Sequence, residues 1–277
     1  MRLTKYIRRG IDYIIHGQPV KYVTANIIYT NPSNKLQGKH IIVTGGGKGL
    51  GLAMAKRFVR EGAKVLITGR NLQTLESAAK DIGCEYKHLD VQSIDLFKDF
   101  MKEADQILGG VNCLVNNAGV SLHEEDFTKV TRSSFDNQIN TNLRGGFFLT
   151  QEFAEFLIER GKGGSVLFTS SEAGETVDER PYGWSKAAIN SMVQGLAYKL
   201  AKQNFRINAI APGITASEMT GLSAEGNIYF PLNMMERVYM PEEVAEVAAF
   251  LLSDAAGCLN GQILVCNNGR TLNPRWK

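Results

Sequence analysis

At 277 residues the chain has room for one large α/β domain or two small ones, and 44% hydrophobic with 21% charged residues is the make-up of a soluble globular enzyme. No apolar run approaches the roughly 20 residues that span a bilayer, which excludes a transmembrane segment. The net charge of +3 is unevenly spread: residues 1–39 hold seven Lys/Arg and one acid, Asp12, so a basic arm precedes a mildly acidic body.

Residues 1–37 are that arm, a basic amphipathic extension. Leu3, Tyr6, Ile7, Ile11, Ile14 and Ile15 recur at helical spacing, and Arg2, Lys5, Arg8 and Arg9 take other positions. The pattern reads first as a helix packed on the body or on a neighbouring subunit. Peripheral contact with a membrane surface and a targeting peptide are the alternatives. The basic residues gather on one short arm instead of lining a groove with stacking aromatics, so no nucleic-acid partner is expected. Asn31-Pro-Ser-Asn34 reads as a loop.

From residue 38 to 277 apolar strand-like runs alternate with helical patterns. The runs lie at 40–44, 64–68, 85–89, 111–115, 165–169, 206–211 and 262–265, with amphipathic stretches at 52–60, 72–81, 94–108, 135–159, 187–202 and 242–252. Continuous apolar strands alternating with helices predict a single doubly wound, Rossmann-type α/β domain with a seven-stranded parallel sheet covered on both faces. Cys84, Cys113, Cys258 and Cys266 are scattered without C-x-x-C spacing. They read as buried, reduced thiols of a cytoplasmic protein, and no metal site is expected.

After the first strand comes Gly45-Gly-Gly47-Lys48-Gly49-Leu50-Gly51 and then a helix. Glycines let the backbone turn tightly and approach a pyrophosphate at a helix N-terminus, where free N–H groups favour anions. An NAD-selective fold of this type places an acid at the end of the second strand; this chain reads Thr68-Gly69-Arg70. Arg70 with Lys48 suits a 2′-phosphate, so NADP(H) is the expected cofactor. Further on, Tyr182-Gly-Trp-Ser-Lys186 places a phenol and an ammonium at i and i+4 on one helical face. The ammonium is expected to lower the phenol pKa and make Tyr182 a proton donor and acceptor.

Thr44–Gly51, Asp90-Val91, Asn116-Asn117-Ala118-Gly119, Asn142-Leu-Arg-Gly145, Ser170-Ser171-Glu-Ala-Gly174, Tyr182–Lys186 and Pro212-Gly213 follow one another in order. In this the chain resembles the short-chain dehydrogenase/reductase family, near its 3-oxoacyl-carrier-protein reductase-like branch, over about residues 37–270. The resemblance implies a catalytic tetrad of Asn142, Ser171, Tyr182 and Lys186. Tyr182 would exchange the proton with the carbonyl oxygen and Ser171 would hydrogen-bond that oxygen. Lys186 would bind the nicotinamide ribose and depress the Tyr182 pKa, and Asn142 would hold a relay water from a kinked helix. It implies adenine contacts at Asp90 and Val91, a cofactor cleft lined by Asn117, Ala118 and Gly119, and a cover over the nicotinamide from Pro212, Gly213 and Ser217. Ser171 lies 11 residues before Tyr182, a shorter interval than the family's usual one, and either Ser170 or Ser171 fits the serine role; the following Glu-Ala-Gly favours Ser171. The family's usual Asp-Gly-Gly near the C-terminus is here Asn267-Asn-Gly269.

The expected function is thus NADP(H)-dependent interconversion of a carbonyl and a secondary alcohol by direct hydride transfer, on a 3-oxoacyl thioester or a sugar or polyol derivative. The alternative is a catalytically silent, cofactor-binding regulatory or scaffolding protein of the same fold. Glu172 and Asp178, if they face the pocket, favour a polyhydroxy or cationic substrate. Residues 218–239 read as a mobile substrate lid or a packed helix. A homotetramer or homodimer follows from the family resemblance.

Overall fold

The computed structural model describes residues 21–25 and 33–272. The amphipathic pattern of the arm lies outside the described residues. Seven strands are present among those described: β1 (His40–Thr44), β2 (Lys64–Gly69), β3 (Glu85–His88), β4 (Cys113–Asn116), β5 (Ser165–Thr169), β6 (Arg206–Pro212) and β7 (Ile263–Cys266). They form one sheet in the order β3-β2-β1-β4-β5-β6-β7, and every pairing is parallel. This is the doubly wound Rossmann-like arrangement expected from the alternating pattern.

The helices are α1 (Gly49–Arg60), α2 (Leu72–Ile82), α3 (Phe97–Leu108), α4 (Arg132–Ile139), α5 (Gly145–Ile158), α6 (Pro181–Leu200) and α7 (Pro241–Leu252). Alternate strand residues face opposite ways, so the sheet feeds two cores. Ile42 and Leu66 join Phe97, Leu149, Phe153 and Val193 from α3, α5 and α6. Ile41, Val43, Val65 and Ile67 join Met54, Phe58, Leu75 and Val244 from α1, α2 and α7. The edge strand β3 reads Glu-Tyr-Lys-His and is largely exposed, a composition that discourages edge-to-edge pairing.

Two local differences from the sequence reading matter for the site. The helical stretch expected over 135–159 is interrupted by a π-helical turn at Asn140–Arg144 between α4 and α5. Just after it, a Cβ on Gly145 would lie 2.3 Å from the Val91 carbonyl oxygen, so helix and strand-end loop meet backbone to backbone. The helix carrying Tyr182 also begins earlier than residue 187, with Pro181 in its first turn, where the missing N–H costs no intrahelical bond. Among the thiols, Cys113 is buried, Cys84 and Cys266 are half-buried, and Cys258 is exposed, contrary to the expectation that all four are interior. No described helix is long and apolar enough to cross a membrane.

Candidate active site

The order of strands reverses between β1 and β4, and the loops leaving their carboxyl ends open a crevice there, the usual binding place in sheets of this kind. A cleft of about 460 Å³ runs along it. One end is walled by the glycine turn with Arg70, Asp90 and Val91; Asn117–Gly119 form its floor; Ser171, Tyr182 and Lys186 line the other end with Pro212 and Gly213, and Ser217 sits beside Gly49. Seven stretches of chain separated in sequence thus meet in one place. Asn142 is the exception and stands behind the wall.

The glycine turn is shaped by close approaches. Gly45 and Gly49 have φ of 65° and 53°, left-handed values that glycine adopts without steric cost. A Cβ on Gly51 would lie 2.2 Å from the Gly45 carbonyl oxygen, so α1 is pressed against the turn that precedes it. Lys48 caps α1 without a side-chain hydrogen bond, and no acid occupies the first turn. The first N–H groups therefore face the cleft with the positive end of the helix dipole, a setting for an anionic group. Thr44, which the motif reading passed over, holds the floor: its Oγ accepts from the Asn117 and Ala118 N–H groups, each at 3.0 Å. Asn117 Nδ2 donates back to the Thr44 carbonyl at 3.0 Å. These features fit a dinucleotide: bare backbone for a pyrophosphate, an open helix terminus, and a cleft running on toward Tyr182.

The two cations assigned to a 2′-phosphate border this end. Arg70 is exposed at the close of β2, and Lys48 forms an ion pair with Glu218 across the cleft mouth. Glu218 has no counterpart in the motif pattern, and only the three-dimensional structure brings it to the glycine turn.

At the far end, Ser170 and Ser171 separate clearly. Ser170 Oγ is buried and donates to Asn190 Oδ1 at 2.6 Å, with the Lys186 carbonyl at 3.2 Å, so it fastens β5 to α6. Ser171 lines the cleft together with Tyr182; its Oγ accepts from the Ala173 N–H at 3.2 Å, and its hydroxyl draws the Tyr182 pKa down. The π turn swings Asn142 inward. Its Oδ1 accepts from the Val120 N–H at 2.8 Å, and its Nδ2 donates to the Val120 carbonyl at 2.9 Å and to Ser185 Oγ at 3.1 Å. The amide thus ties the loop after β4 to α6.

The expected electrostatics of the Tyr182–Lys186 pair need correction. Burial pushes the phenol above its ordinary value, with only the Ser171 hydroxyl pulling it down and Glu172 and Asp178 adding to the rise. Lys186 does not offset this. Its Nζ lies 5.6 Å from the Tyr182 ring centroid and donates to the Thr169 carbonyl at 2.8 Å. The i, i+4 spacing put both groups on one face, but their heads diverge.

Burial lowers the Lys186 ammonium from 10.5 to about 8. Between those two values the folded protein binds fewer protons than the unfolded one, so stability should rise with pH across that window. Below pH 8 the full cost of holding the charge, about 3 kcal/mol, is present. Urea unfolding of the cofactor-free protein at pH 7.5 and 9.5 should show a rise that Lys186→Met abolishes.

Glu172 and Asp178 do not border the cleft. Glu172 is taken up by Arg270 in an ion pair and by Asn267 Nδ2 at 3.0 Å, so the altered C-terminal motif holds the loop after β5. Asp178 pairs with Arg180 at 2.9 Å, and its carbonyl accepts from Trp184 Nε1 at 2.8 Å. Residues 217–240 contain no helix, so the packed-helix alternative for that segment does not hold. Its start, residues 217–220, lines the cleft, with Glu218 paired to Lys48 of the glycine turn.

Comparison with known proteins agrees with this geometry. A family model described as enoyl-(acyl carrier protein) reductase matches residues 45–271. The 3-oxoacyl-[acyl-carrier-protein] reductase FabG of Aquifex aeolicus is 30% identical over 245 residues, covering 85% of this chain and 98% of that protein. The gluconate 5-dehydrogenase of Gluconobacter oxydans is 30% identical over 251 residues, covering 86% and 96%. A crystal structure of 3-ketoacyl-(acyl-carrier-protein) reductase from Brucella melitensis, complexed with NADH, superposes with a TM-score of 0.79 at 28% identity, covering 86% of this chain and all of that one. With the parallel sheet, the glycine turn at its crossover and likeness along nearly the whole body, the chain belongs to the short-chain dehydrogenase/reductase family of oxidoreductases.

Proposed function

We propose that this protein is an NADP(H)-dependent reductase or dehydrogenase acting between a carbonyl and a secondary alcohol, and that residues 38–277 carry the activity. The observation that carries the reading is that Ser171, Tyr182 and Lys186 line the same cleft as a bare-backbone glycine turn. The bound nicotinamide supplies or accepts the hydride. Tyr182 gives its proton to the carbonyl oxygen in reduction and takes it back in oxidation. Its raised pKa keeps it protonated at neutral pH, as a donor must be. Ser171 aims a second O–H at the same oxygen as charge develops there. Lys186, mostly charged below about pH 8, holds the ribose hydroxyls and thereby brings its charge near the phenol. Asn142 fixes Val120 and α6 and positions the relay water.

Arg70 and Lys48 bind the 2′-phosphate, Lys48 leaving Glu218 to do so. A 3-oxoacyl thioester is favoured over a polyol, because Glu172 and Asp178 are already neutralised by Arg270 and Arg180 and Met219 lines the cleft. A homodimer or homotetramer fits the aromatic side chains exposed on α5 and α6, Phe147 and Tyr198. A cytoplasmic location accords with this chemistry.

The test is oxidation of NADPH and NADH across 3-oxoacyl thioesters and keto-sugars. NADPH should be the better donor, and Arg70→Asp should weaken NADPH binding by between about 10-fold and 100-fold while leaving NADH within a few-fold. Equal use of both by the parent enzyme overturns the cofactor assignment. Cofactor binding with no turnover of any carbonyl would favour the silent regulatory alternative.

A further inference from the structure

The segment 217–240 is fastened at its end by the Tyr239 N–H to the Ile214 carbonyl at 3.0 Å and by the Tyr239 hydroxyl to the Asn267 carbonyl at 2.8 Å, and three further sets of contacts hold the rest. Near its start, Glu218 pairs with Lys48 of the glycine turn, and the Met219 carbonyl meets His123 Nε2 at 2.7 Å. Its middle folds back on itself: the Phe230 N–H donates to the Glu236 carbonyl at 2.9 Å, and the Val238 N–H to the Ile228 carbonyl at 3.0 Å. The third hold comes from the other end of the chain. Residues 21–25 lie against this turnback without regular secondary structure. The Ile228 N–H donates to the Val23 carbonyl at 3.2 Å. The Val23 N–H donates to Asn227 Oδ1 at 3.0 Å, and Asn227 Nδ2 donates to the Lys21 carbonyl at 3.1 Å.

Side chains follow the same logic. Val23 and Ala25 point inward onto an apolar cluster of Ala216, Ile228, Val238 and Met240, whereas Tyr22 points out and is 68% exposed. That alternation is the period of extended chain seated on a surface. Lys21 adds an ion pair with Glu236 and lies over the Tyr229 ring. Both charges are well exposed, so the pair contributes little and mainly sets register. The cluster is separate from the two cores that hold the sheet, so 217–240 depends on residues 21–25 for much of its apolar cover.

We propose that residues 21–25 are a strap that fixes the 217–240 segment over the cleft, making Val23 and Asn227 positioning residues for substrate binding. The kinetic part of this rests on the activity proposed above; the structural part does not. A segment with few buried contacts of its own opens locally at low cost, and a second stretch of chain laid across it raises that cost. Loosening the strap therefore acts on substrate capture and release and leaves hydride transfer unchanged.

Hydrogen exchange on the full-length, cofactor-free protein tests it, comparing the parent with Val23→Asp, Asn227→Ala and Tyr22→Ala. The first two should speed exchange by about tenfold or more at 217–222, the stretch beside the cleft and away from the strap itself, with sheet amides unchanged. Tyr22→Ala should match the parent. In turnover assays the same two variants should raise the substrate KM by about fivefold or more with kcat held or increased. Unchanged exchange at 217–222 overturns the proposal, whether or not any carbonyl is turned over. A fall in kcat at constant KM, or faster exchange throughout the sheet, overturns it too, since either marks a general loss of structure.

Discussion

Replacement of Tyr182 by Phe is expected to lower kcat by between about 100-fold and 10,000-fold, the range for loss of a positioned general acid. The ring stays, so the packing of α6 and the cleft wall stay with it. NADPH affinity, measured by fluorescence titration, should change by no more than a few-fold. The Ser171 hydroxyl, which draws the Tyr182 pKa down in the parent protein, can turn to water in the open cleft. Residual turnover should lose the pH dependence that belongs to the phenol. Near-normal kcat in this variant would remove Tyr182 from the chemistry, and the hydroxyl beside it would become the first candidate. Ser171→Ala makes the complementary measurement, with Ser170→Ala as contrast. Ser170 is bonded to Asn190 and the Lys186 carbonyl, so its loss should appear in thermal stability more than in the pH profile.

Gly51→Ala is expected to be the most damaging single methyl group in the cofactor half of the site. The added Cβ would stand 2.2 Å from the Gly45 carbonyl oxygen and 2.5 Å from Asn117 Nδ2. Both atoms belong to the floor of the cleft, and the first is backbone, so no rotamer relieves the clash. Either α1 moves away from the glycine turn or the turn opens. Overpacking of this kind costs about 1–3 kcal/mol or more. The displacement also spoils the aim of the N–H groups at the start of α1, and NADPH binding should fall by more than about tenfold. Gly195→Ala on α6 is the control, because a Cβ there meets nothing within 4 Å. In a helix interior that change should stabilise the protein by about 0.5–1 kcal/mol. Calorimetry with and without NADPH separates the two effects: Gly51→Ala should lose both Tm and the ligand-induced rise, and Gly195→Ala should keep the rise. A Gly51→Ala protein binding NADPH as the parent does would mean that the glycine turn is not where the pyrophosphate lies.

The sheet was legible from the chain because its strands, buried on both faces, are written as unbroken apolar runs such as Ile41–Val43 and Leu114–Val115. Most sit between helical patterns of ordinary length, the long connection from Pro212 to Pro241 being the main departure. The glycine turn was equally legible, since the close contacts at Gly45 and Gly51 arise within a few residues of each other. The π turn at Asn140–Arg144 was not. A π turn has no side-chain period of its own; only the family resemblance pointed to a kinked helix at Asn142.

What the sequence by itself determined, then, is whatever depends on neighbours a few residues apart: strand and helix alternation, the tight turn before α1, and a phenol and an ammonium on one helical face. Tertiary structure alone decided which partner each polar group found. It sent Lys186 to the Thr169 carbonyl instead of the phenol, gave Glu172 to Arg270 and Lys48 to Glu218, and told Ser170 from Ser171. It also laid residues 21–25 across a segment some two hundred positions later. Charges and hydrogen-bonding groups act through space with no preference for chain neighbours. Their pairing is settled by where the packed sheet and helices bring them, and no local pattern records it.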